Sequence, residues 1–519
     1  MKAASAKSTL VSLLLGLSWL NIGFAQSNYV AFELVRENNW DTLITEDVNG
    51  DGTKDLIFAH YDPAIGRELH IHHQQSDGNF SSTPQRVEIK TEIIAVGFAD
   101  LRSDPGKELV LLANNAVFSL STAVEGYTGN LQLLFEWDLV AAIPGQDSVE
   151  FLRDIEDING DGEIDFFLPG EDRFGFFIGT GNEQFELVSN IRTVNENLTS
   201  AQRNSQDADL NASIGINADE GVVVSLRAET PTPFSGFVEK WEPKSTESRA
   251  LLSTENWMPT ALLAELNGDG LKDLIYLNVG DDGLGQLNIH YQDQASGFPE
   301  QADWQGSTDT RGDMRLLDMN KDGLVDLLRL TGDGNEWDAR FYLNTDNSFQ
   351  LEQPNQIMRF AGYDVRLEFV ELASTEKPTL NVSYYTIPVV DAIRNASINR
   401  TQLLYSSEAA EAGQLFARRP NSRLEESFSA DNVRGLSEQM SLRYDVDGDG
   451  TNDALYVTDN GTLAAKKIDR QLRIAEEPFW EYISPRTVFE FEVLPLNDDA
   501  TPDLVLRHGA TTSLLVARP

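Results

Sequence analysis

From about residue 29 onward the chain is a succession of short apolar runs separated by polar breaks. Phe98-Ala99 and Arg315-Leu316-Leu317 stand before one kind of break, rich in Asp, Asn and Gly, and Asp55-Leu56-Ile57-Phe58 follows another example of it. Glu68-Leu69-His70-Ile71-His72 alternates polar and apolar positions, the period of a strand with one buried face. Gly78-Asn79-Phe80 is a turn that opens a further strand with an aromatic residue. Alternation at period two, with Gly, Asn and Asp between the runs, predicts antiparallel hairpins.

One break recurs. It reads DVNGDGTKDLIF from Asp47, DINGDGEIDFFL from Asp157, ELNGDGLKDLIY from Glu265, DMNKDGLVDLLR from Asp318 and DVDGDGTNDALY from Asp445. A weaker copy, PLNDDATPDLVL, starts at Pro495, and degenerate copies align at Asp100, Ser213 and Glu371. The nine starts are spaced by 53, 57, 56, 52, 53, 53, 74 and 50 residues. Four short strands in each such unit describe a propeller blade. The expected fold is therefore all-β: a single β-propeller of four-stranded antiparallel blades, seven to nine in number, with the repeat count pointing to the upper end.

The ends fit a closed ring. Leu504 to Arg507 and Ser513 to Ala517 leave the last unit one strand short, and Tyr29 to Val35 is one strand too many at the start. Pairing them completes a blade and removes two sheet edges. Residues 190–212 are polar, and residues 391–440 exceed what the period needs and include Glu408-Ala409-Ala410-Glu411-Ala412, a candidate helical turn. Both read as excursions from the repeat.

Composition sharpens this picture. The 519 residues hold 83 acidic and 40 basic side chains, a formal net charge of −43. That excludes nucleic acid as a natural partner, since binding a polyanion needs clustered Lys and Arg, and it favours cations. There is no cysteine, so disulfides and thiolate chemistry are absent. Lys2 and Lys7, the apolar run Leu10 to Leu20, and Gly23-Phe24-Ala25 before Gln26 form the pattern of a signal peptide over 1–25. The expected layout is a signal peptide followed by one propeller over 26–519, exported to the periplasm or beyond, in a bacterium, with no transmembrane segment in the mature chain.

The acidic break carries candidate chemistry. In its first copy Asp47, Asn49, Asp51 and Asp55 place oxygen-bearing side chains at positions 1, 3, 5 and 9, Gly52 stands at position 6, and Thr53 at position 7 offers a backbone carbonyl. Alternate residues of a tight loop can converge on one hard cation, and Ca²⁺ takes six to eight oxygens. The same set recurs as Asp157, Asn159, Asp161, Glu163 and Asp165; as Glu265, Asn267, Asp269, Leu271 and Asp273; as Asp318, Asn320, Asp322, Leu324 and Asp326; and as Asp445, Asp447, Asp449, Thr451 and Asp453. Position 7 enters through its carbonyl in each. The Pro495 copy keeps Asn497, Asp499 and Asp503 but lacks the first ligand, and is expected to be weak or empty. The expectation is four to six calcium sites. The competing reading is a set of acidic turns held by Asx hydrogen bonds; an Asp at position 9 is not required by turn chemistry alone, and that favours the metal.

These residues resemble the FG-GAP repeat, also called the VCBS-type repeat, of the integrin α-chain propeller and of many exported bacterial proteins. The resemblance covers about residues 28–519. It implies a propeller with structural calcium in blade hairpin loops, on the five residue sets named above. Integrin-like propellers have seven blades where nine copies align here, and the Phe-Gly and Gly-Ala-Pro segments are mostly lost.

Other constellations are weaker. His70, His72 and His73 form one cluster, read as an exposed strand face. Arg311-Gly312-Asp313 reads as a strand entry, and Trp137, Trp241, Trp257, Trp304, Trp337 and Trp480 as packing between blades. No catalytic residue stands out. The expected function is an exported calcium-binding scaffold for protein or glycan recognition. The alternatives are a polysaccharide-acting lyase or hydrolase on the same scaffold, and an envelope assembly or attachment module working through residues 391–440.

Overall fold

The computed structural model describes residues 29–35, 42–76, 78–139, 147–152, 155–170, 172–193, 196–198, 212–217, 221–226, 255–257, 261–279, 284–309, 313–372, 375–387, 397–411, 413–429, 440–458, 461–494, 496–497, 501–509 and 511–517. The segment read as a signal peptide lies outside them. The described residues are strands and turns, with one short 3-10 turn at Ala123–Glu125. Among them no helix is long and apolar enough to cross a membrane.

The strands form eight blades of antiparallel sheet. Blade 1 is Leu43–Glu46, Asp55–Asp62, Gly66–His72 and Gln85–Ile89; blade 2 is Ile93–Ala99, Glu108–Ala113, Ala116–Thr122 and Gln132–Glu136. Glu150–Phe151 adds a short parallel strand beside Ile93–Ala99. Blade 3 has Phe166–Gly170, Arg173–Gly179 and Phe185–Arg192, and a single Glu156–Asp165 bridge stands where the other blades pair their first strand. Blade 4 is Ala261–Ala264, Asp273–Val279, Gly285–His290 and Trp304–Thr308; blade 5 is Asp313–Leu317, Asp326–Asp333, Glu336–Tyr342 and Gln356–Ala361. Blade 6 is Tyr363–Val370, Thr379–Thr386, Ser397–Tyr405 and Ser422–Ser429; blade 7 is Ser441–Tyr444, Asp453–Val457, Leu463–Lys467 and Trp480–Tyr482. Blade 8 combines Glu490–Val493, Leu504–His508 and Thr511–Ala517 with Tyr29–Val35. In that last pairing Tyr29 stands opposite Ala517 and Val35 opposite Thr511. The two ends of the chain thus close the ring, as the spare strand predicts.

The core lies between blades rather than in one place. Val48, Ile57 and Leu69 of blade 1 pack with Val96, Leu109 and Leu111 of blade 2. Equivalent clusters join each further neighbouring pair, and Leu43, Leu56 and Phe58 of blade 1 pack with Val505, Leu514 and Val516 of blade 8. These interfaces are continuous around the ring. Each buried Leu, Ile or Phe contributes about 1.5–3 kcal/mol relative to exposure.

The count corrects the alignment at Ser213. Ala212–Asn217 and Gly221–Leu226 form a two-stranded sheet of their own, while Phe174, Phe176 and Ile191 of blade 3 pack directly on Leu274, Tyr276 and Phe298 of blade 4. Position 9 of that copy is Gly221, which has no side chain to do what position 9 does in the blades. Residues 391–440 include the third and fourth strands of blade 6. Part of their excess is the 406–421 connection, where Glu408 and Ala409 form a turn closed by the Ala410 N–H on the Ser407 carbonyl (3.2 Å).

Candidate metal centre

Each acidic loop joins the first strand of its blade to the second. Register places Glu46 opposite Asp55, Ala264 opposite Asp273, Leu317 opposite Asp326 and Tyr444 opposite Asp453. The loops therefore occupy equivalent places on one rim of the ring.

Position 9 is buried in all eight blades, as Asp55, Glu108, Asp165, Asp273, Asp326, Thr379, Asp453 and Asp503. Where position 9 is an acid, its carboxylate holds backbone N–H groups. One oxygen accepts the N–H of position 2, from Leu101 (2.8 Å), Ile158 (2.9 Å), Leu266 (3.0 Å), Met319 (2.9 Å), Val446 (2.9 Å) or Leu496 (2.8 Å). The other oxygen of Asp55, Asp165, Asp273, Asp326 and Asp503 accepts an N–H just after or at the end of the third strand, from Gln74, Gly179, Gln292, Asn344 and Ala517, at 2.7–2.9 Å. This overturns one premise of the sequence reading. Asp at position 9 has a backbone role that needs no metal.

The rest of the loop is hydrogen-bonded in the same way in each copy. The position-1 carboxylate accepts loop N–H groups: Asp47 from Gly50 and Gly52 (both 2.8 Å), Asp157 from Gly160 and Gly162 (both 2.7 Å), Asp318 from Gly323 (2.9 Å), and Asp445 from Gly448 (2.8 Å) and Gly450 (2.6 Å). Glu265 reaches Gly268 (2.6 Å) and Gly270 despite its extra methylene. The amide of Asn49, Asn159, Asn267 or Asn320 at position 3 donates to Asp51, Asp161, Asp269 or Asp322 at position 5 (2.8–3.1 Å). Position 7 (Thr53, Glu163, Leu271, Leu324, Thr451) donates its N–H to that same carboxylate at 2.8–2.9 Å. Position 6 is glycine with φ between 85° and 93° in all five, a region that other residues resist.

Charge separates the loops. Burial pushes the Asp273 and Asp326 carboxyls up to about 6, against their backbone hydrogen bonds, with Asp269 and Glu265, or Asp322 and Asp318, adding repulsion. Asp165 moves the same way for the same reason. Following the register of the third strand, the residue facing position 9 is Ile178 in blade 3, Tyr291 in blade 4 and Leu343 in blade 5. It is His73 in blade 1 and Lys467 in blade 7. His73 Nδ1 lies 3.0 Å from Asp55 Oδ2, and its Nε2 lies 2.7 Å from Gln85 Oε1. The neighbouring Asp55 carboxylate raises the His73 pKa.

Blade 7 brings its acids closest. Ligand atoms of Asp445, Asp447 and Asp453 lie within 4.8 Å of one another, the one such acidic group among the described residues. The Lys467 ammonium is 2.8 Å from Asp447, 2.7 Å from Asp449 and 3.0 Å from Asp453. It holds Asp449 down to about 2. In the other four intact loops position 3 is the neutral Asn, and carboxylates stand at positions 1, 5 and 9.

The donor sets are hard oxygens, which suit Ca²⁺ rather than thiophilic metals. In blades 3, 4 and 5 the residue facing position 9 is uncharged. The degenerate loops lack the set: Arg102 stands at position 3 in blade 2, 3.8 Å from Glu108, and Thr379 replaces the acid in blade 6. In blade 8 Asn497 and Asp503 are described, whereas Asp499 is not.

Sequence reasoning missed His73, Lys467 and Arg102 as parts of these loops. His70 and His72 are buried rather than exposed: His72 Nδ1 meets the Ser81 carbonyl at 2.7 Å and His70 Nε2 meets Glu68 at 3.0 Å. Trp137, Trp304, Trp337 and Trp480 join interblade clusters, as expected. Trp241 and the Trp257 side chain lie outside the described residues, as do Arg311 and Gly312.

A cavity of about 730 Å³ lies against the first strands of blades 8, 1 and 2, with Glu46, Lys107, Glu490, Glu492 and Arg507 on its wall. Lys107 pairs with Glu46 (2.7 Å) and Arg507 with Glu492 (2.8 Å). Burial raises the Glu490 pKa.

No protein-family model matches the chain, and no curated protein matches it. Among solved structures it is similar to a chain in the crystal structure of BBS1N in complex with ARL6DN, at 9% identity and TM-score 0.37, covering 95% of this chain and 98% of that one. It is also similar to an Agrocybe aegerita lectin described for specific recognition of non-reducing terminal N-acetylglucosamine, at 12% identity and TM-score 0.33, covering 75% and 80%. A third is the Photorhabdus luminescens Tc holotoxin pore, at 13% identity and TM-score 0.28, covering 92% of this chain and 20% of that one.

Proposed function

We propose that this protein is an exported propeller of the FG-GAP/VCBS type, with structural calcium in its rim loops, that presents its ring for protein or glycan recognition. One observation supports the calcium above all. The position-9 carboxylates of blades 3, 4 and 5 are buried beside other carboxylates and face Ile178, Tyr291 and Leu343 rather than a cation. A buried charge among like charges is costly unless something neutralises it. A divalent ion would do so, held by Asp157, Asn159, Asp161 and Asp165; by Glu265, Asn267, Asp269 and Asp273; and by Asp318, Asn320, Asp322 and Asp326. Asp47, Asn49, Asp51 and Asp55 form a fourth set, with His73 beside it. Thermal unfolding of residues 26–519 in EDTA and in millimolar calcium tests this. A higher Tm with calcium is expected; an identical Tm refutes the metal.

Recognition is the reading for the ring itself, and its test is capture of defined glycans and envelope proteins by the calcium-loaded chain. A second reading has one observation behind it: the cavity wall gathers Glu46, Glu490 and Glu492 with Lys107 and Arg507. Carboxylates gathered in a cavity beside cations are the equipment of a polysaccharide-acting enzyme. Turnover of acidic polysaccharides, lost in Glu490→Gln, would establish it, and no turnover would leave recognition as the function.

A further inference from the structure

Blade 7 has the one intact loop with carboxylates at all four side-chain ligand positions, 1, 3, 5 and 9. By its count of acidic ligands it is the strongest candidate for a metal. Its geometry argues the reverse. Lys467 ends the third strand directly opposite Asp453, and its ammonium lies 2.8, 2.7 and 3.0 Å from Asp447, Asp449 and Asp453. Three carboxylates around one point are what a cation site offers, and here a side chain already fills that point. The ammonium is held from another side as well: Nζ sits 4.3 Å from the centre of the Phe479 ring, a cation–π contact.

Blade 2 shows a related arrangement in a different form. Its loop has lost the acidic set, and Arg102 at position 3 reaches Glu183 (2.9 Å) and approaches Glu108, the buried acid at position 9, at 3.8 Å. A basic side chain therefore stands near the position-9 acid in three loops: Lys467 3.0 Å from Asp453, His73 3.0 Å from Asp55 and Arg102 3.8 Å from Glu108. In blades 3, 4 and 5 the residue facing position 9 carries no charge.

We propose that Lys467 is the resident cation of the blade 7 loop, standing where a divalent ion would sit and closing that loop to metal. The loops that take calcium under the preceding reading then exclude this one, although its motif is complete. A cation site is latent beneath the lysine. Removing the ammonium while keeping the length of the side chain exposes Asp445, Asp447, Asp449 and Asp453 to solution cations.

The test compares the wild-type chain with Lys467→Met and Lys467→Arg. In EDTA, Lys467→Met is expected to melt below wild type, and Lys467→Arg, which keeps the charge, to stay near it. In calcium titrations by calorimetry, Lys467→Met is expected to bind one more ion than wild type and to regain Tm as that ion binds. If Lys467→Met does not fold in EDTA, refolding it in millimolar calcium asks the same question: recovery supports the proposal and continued failure overturns it. Equal stoichiometry in wild type and Lys467→Met overturns it too. So does faster acetylation of Lys467 in the wild type when calcium is added, since that means the ion displaces the lysine. If wild type binds no calcium, the reading of the other loops fails, and the resident-cation role still stands or falls on the EDTA comparison of Lys467→Met with Lys467→Arg.

Discussion

Blades 5 and 7 carry almost the same words, DMNKDGLVD from Asp318 and DVDGDGTND from Asp445. Their loops share the position-1 hydrogen bonds to glycine and the position-2 N–H to a buried position-9 acid. They differ in what closes them. In blade 5 the third strand places Leu343 opposite Asp326, and Asn320 donates to Asp322 at 2.8 Å. In blade 7 it places Lys467 there, and position 3 is the further carboxylate Asp447. The loop with more acid has a base set against its carboxylates, whereas the one base of the loop with less acid, Lys321, pairs away from them with Glu371 of blade 6. Acid count within a motif is thus a poor guide to its need for metal, because compensation arrives from a strand outside the motif.

The largest effect should come from the feature the two blades share. Asp326→Ala leaves the Met319 and Asn344 N–H groups, each 2.9 Å from its carboxylate, without an acceptor in a buried place. The cost is expected at about 2–6 kcal/mol, at one to three for each of the two buried unsatisfied groups, and it should appear in urea unfolding with or without calcium. Asp453→Ala should be as severe, because it orphans the Val446 N–H and removes one partner of Lys467. A loss confined to calcium-containing buffer would show that position 9 is a ligand only. Next comes the feature that separates them. Asp318→Ala with Asp322→Asn should lower the calcium stoichiometry by one, and Asp445→Ala with Asp449→Asn should leave it unchanged. A drop in both would erase the distinction between the blades.

The strands, the blade repeat and the closing pair were legible because each depends on local alternation and on spacing along the chain. Tyr29 to Val35 could be assigned to the last blade from arithmetic alone. The compensation of charge was not legible. Lys467 is twenty residues from Asp447, and only the register of the intervening hairpin brings them together. His73 was hidden in the same way, inside a cluster read as an exposed strand face. The role of position 9 was obscured for a different reason. Its acceptors serve N–H groups as far as 19 residues away, and a motif names the acid without naming what it holds. The ninth copy, at Ser213, came from extending the period across a hairpin that belongs to no blade.

Acidity offers a smaller and more selective effect. Asp273 and Asp326 titrate near 6 in the fold, raised from 3.8 chiefly by burial. A carboxyl raised on folding binds protons more tightly in the folded state, so its contribution is full below the unfolded pKa and is lost as pH rises through about 6. In EDTA the Tm should therefore rise on going from pH 7.5 to about 5.5. Asp453 shares that direction, whereas Asp449, held down to about 2 beside Lys467, stays ionised throughout. Asp326→Asn should flatten the pH dependence and Asp449→Asn should not. In saturating calcium the trend should reverse, because protons then compete with the ion. A pH dependence equal in both variants would mean that the burial of blade 5 is not the source.

The smallest effect lies in the backbone of the same two loops. At position 4 blade 7 has Gly448 with φ 74°, whereas blade 5 has Lys321 with φ 59°. A side chain in that left-handed region costs about 1 kcal/mol that glycine does not incur. Lys321 recovers part of this by pairing with Glu371 of blade 6 at 3.2 Å, an exposed contact of about 0–1 kcal/mol. Lys321→Gly should then stabilise the chain by about 0.5 kcal/mol, and more at high salt, where the ion pair is screened. Stabilisation in high salt with none in low salt would mean that the pair offsets the whole strain. Destabilisation at both would show that the lysine stem, rather than its charge, holds the two blades together at this point.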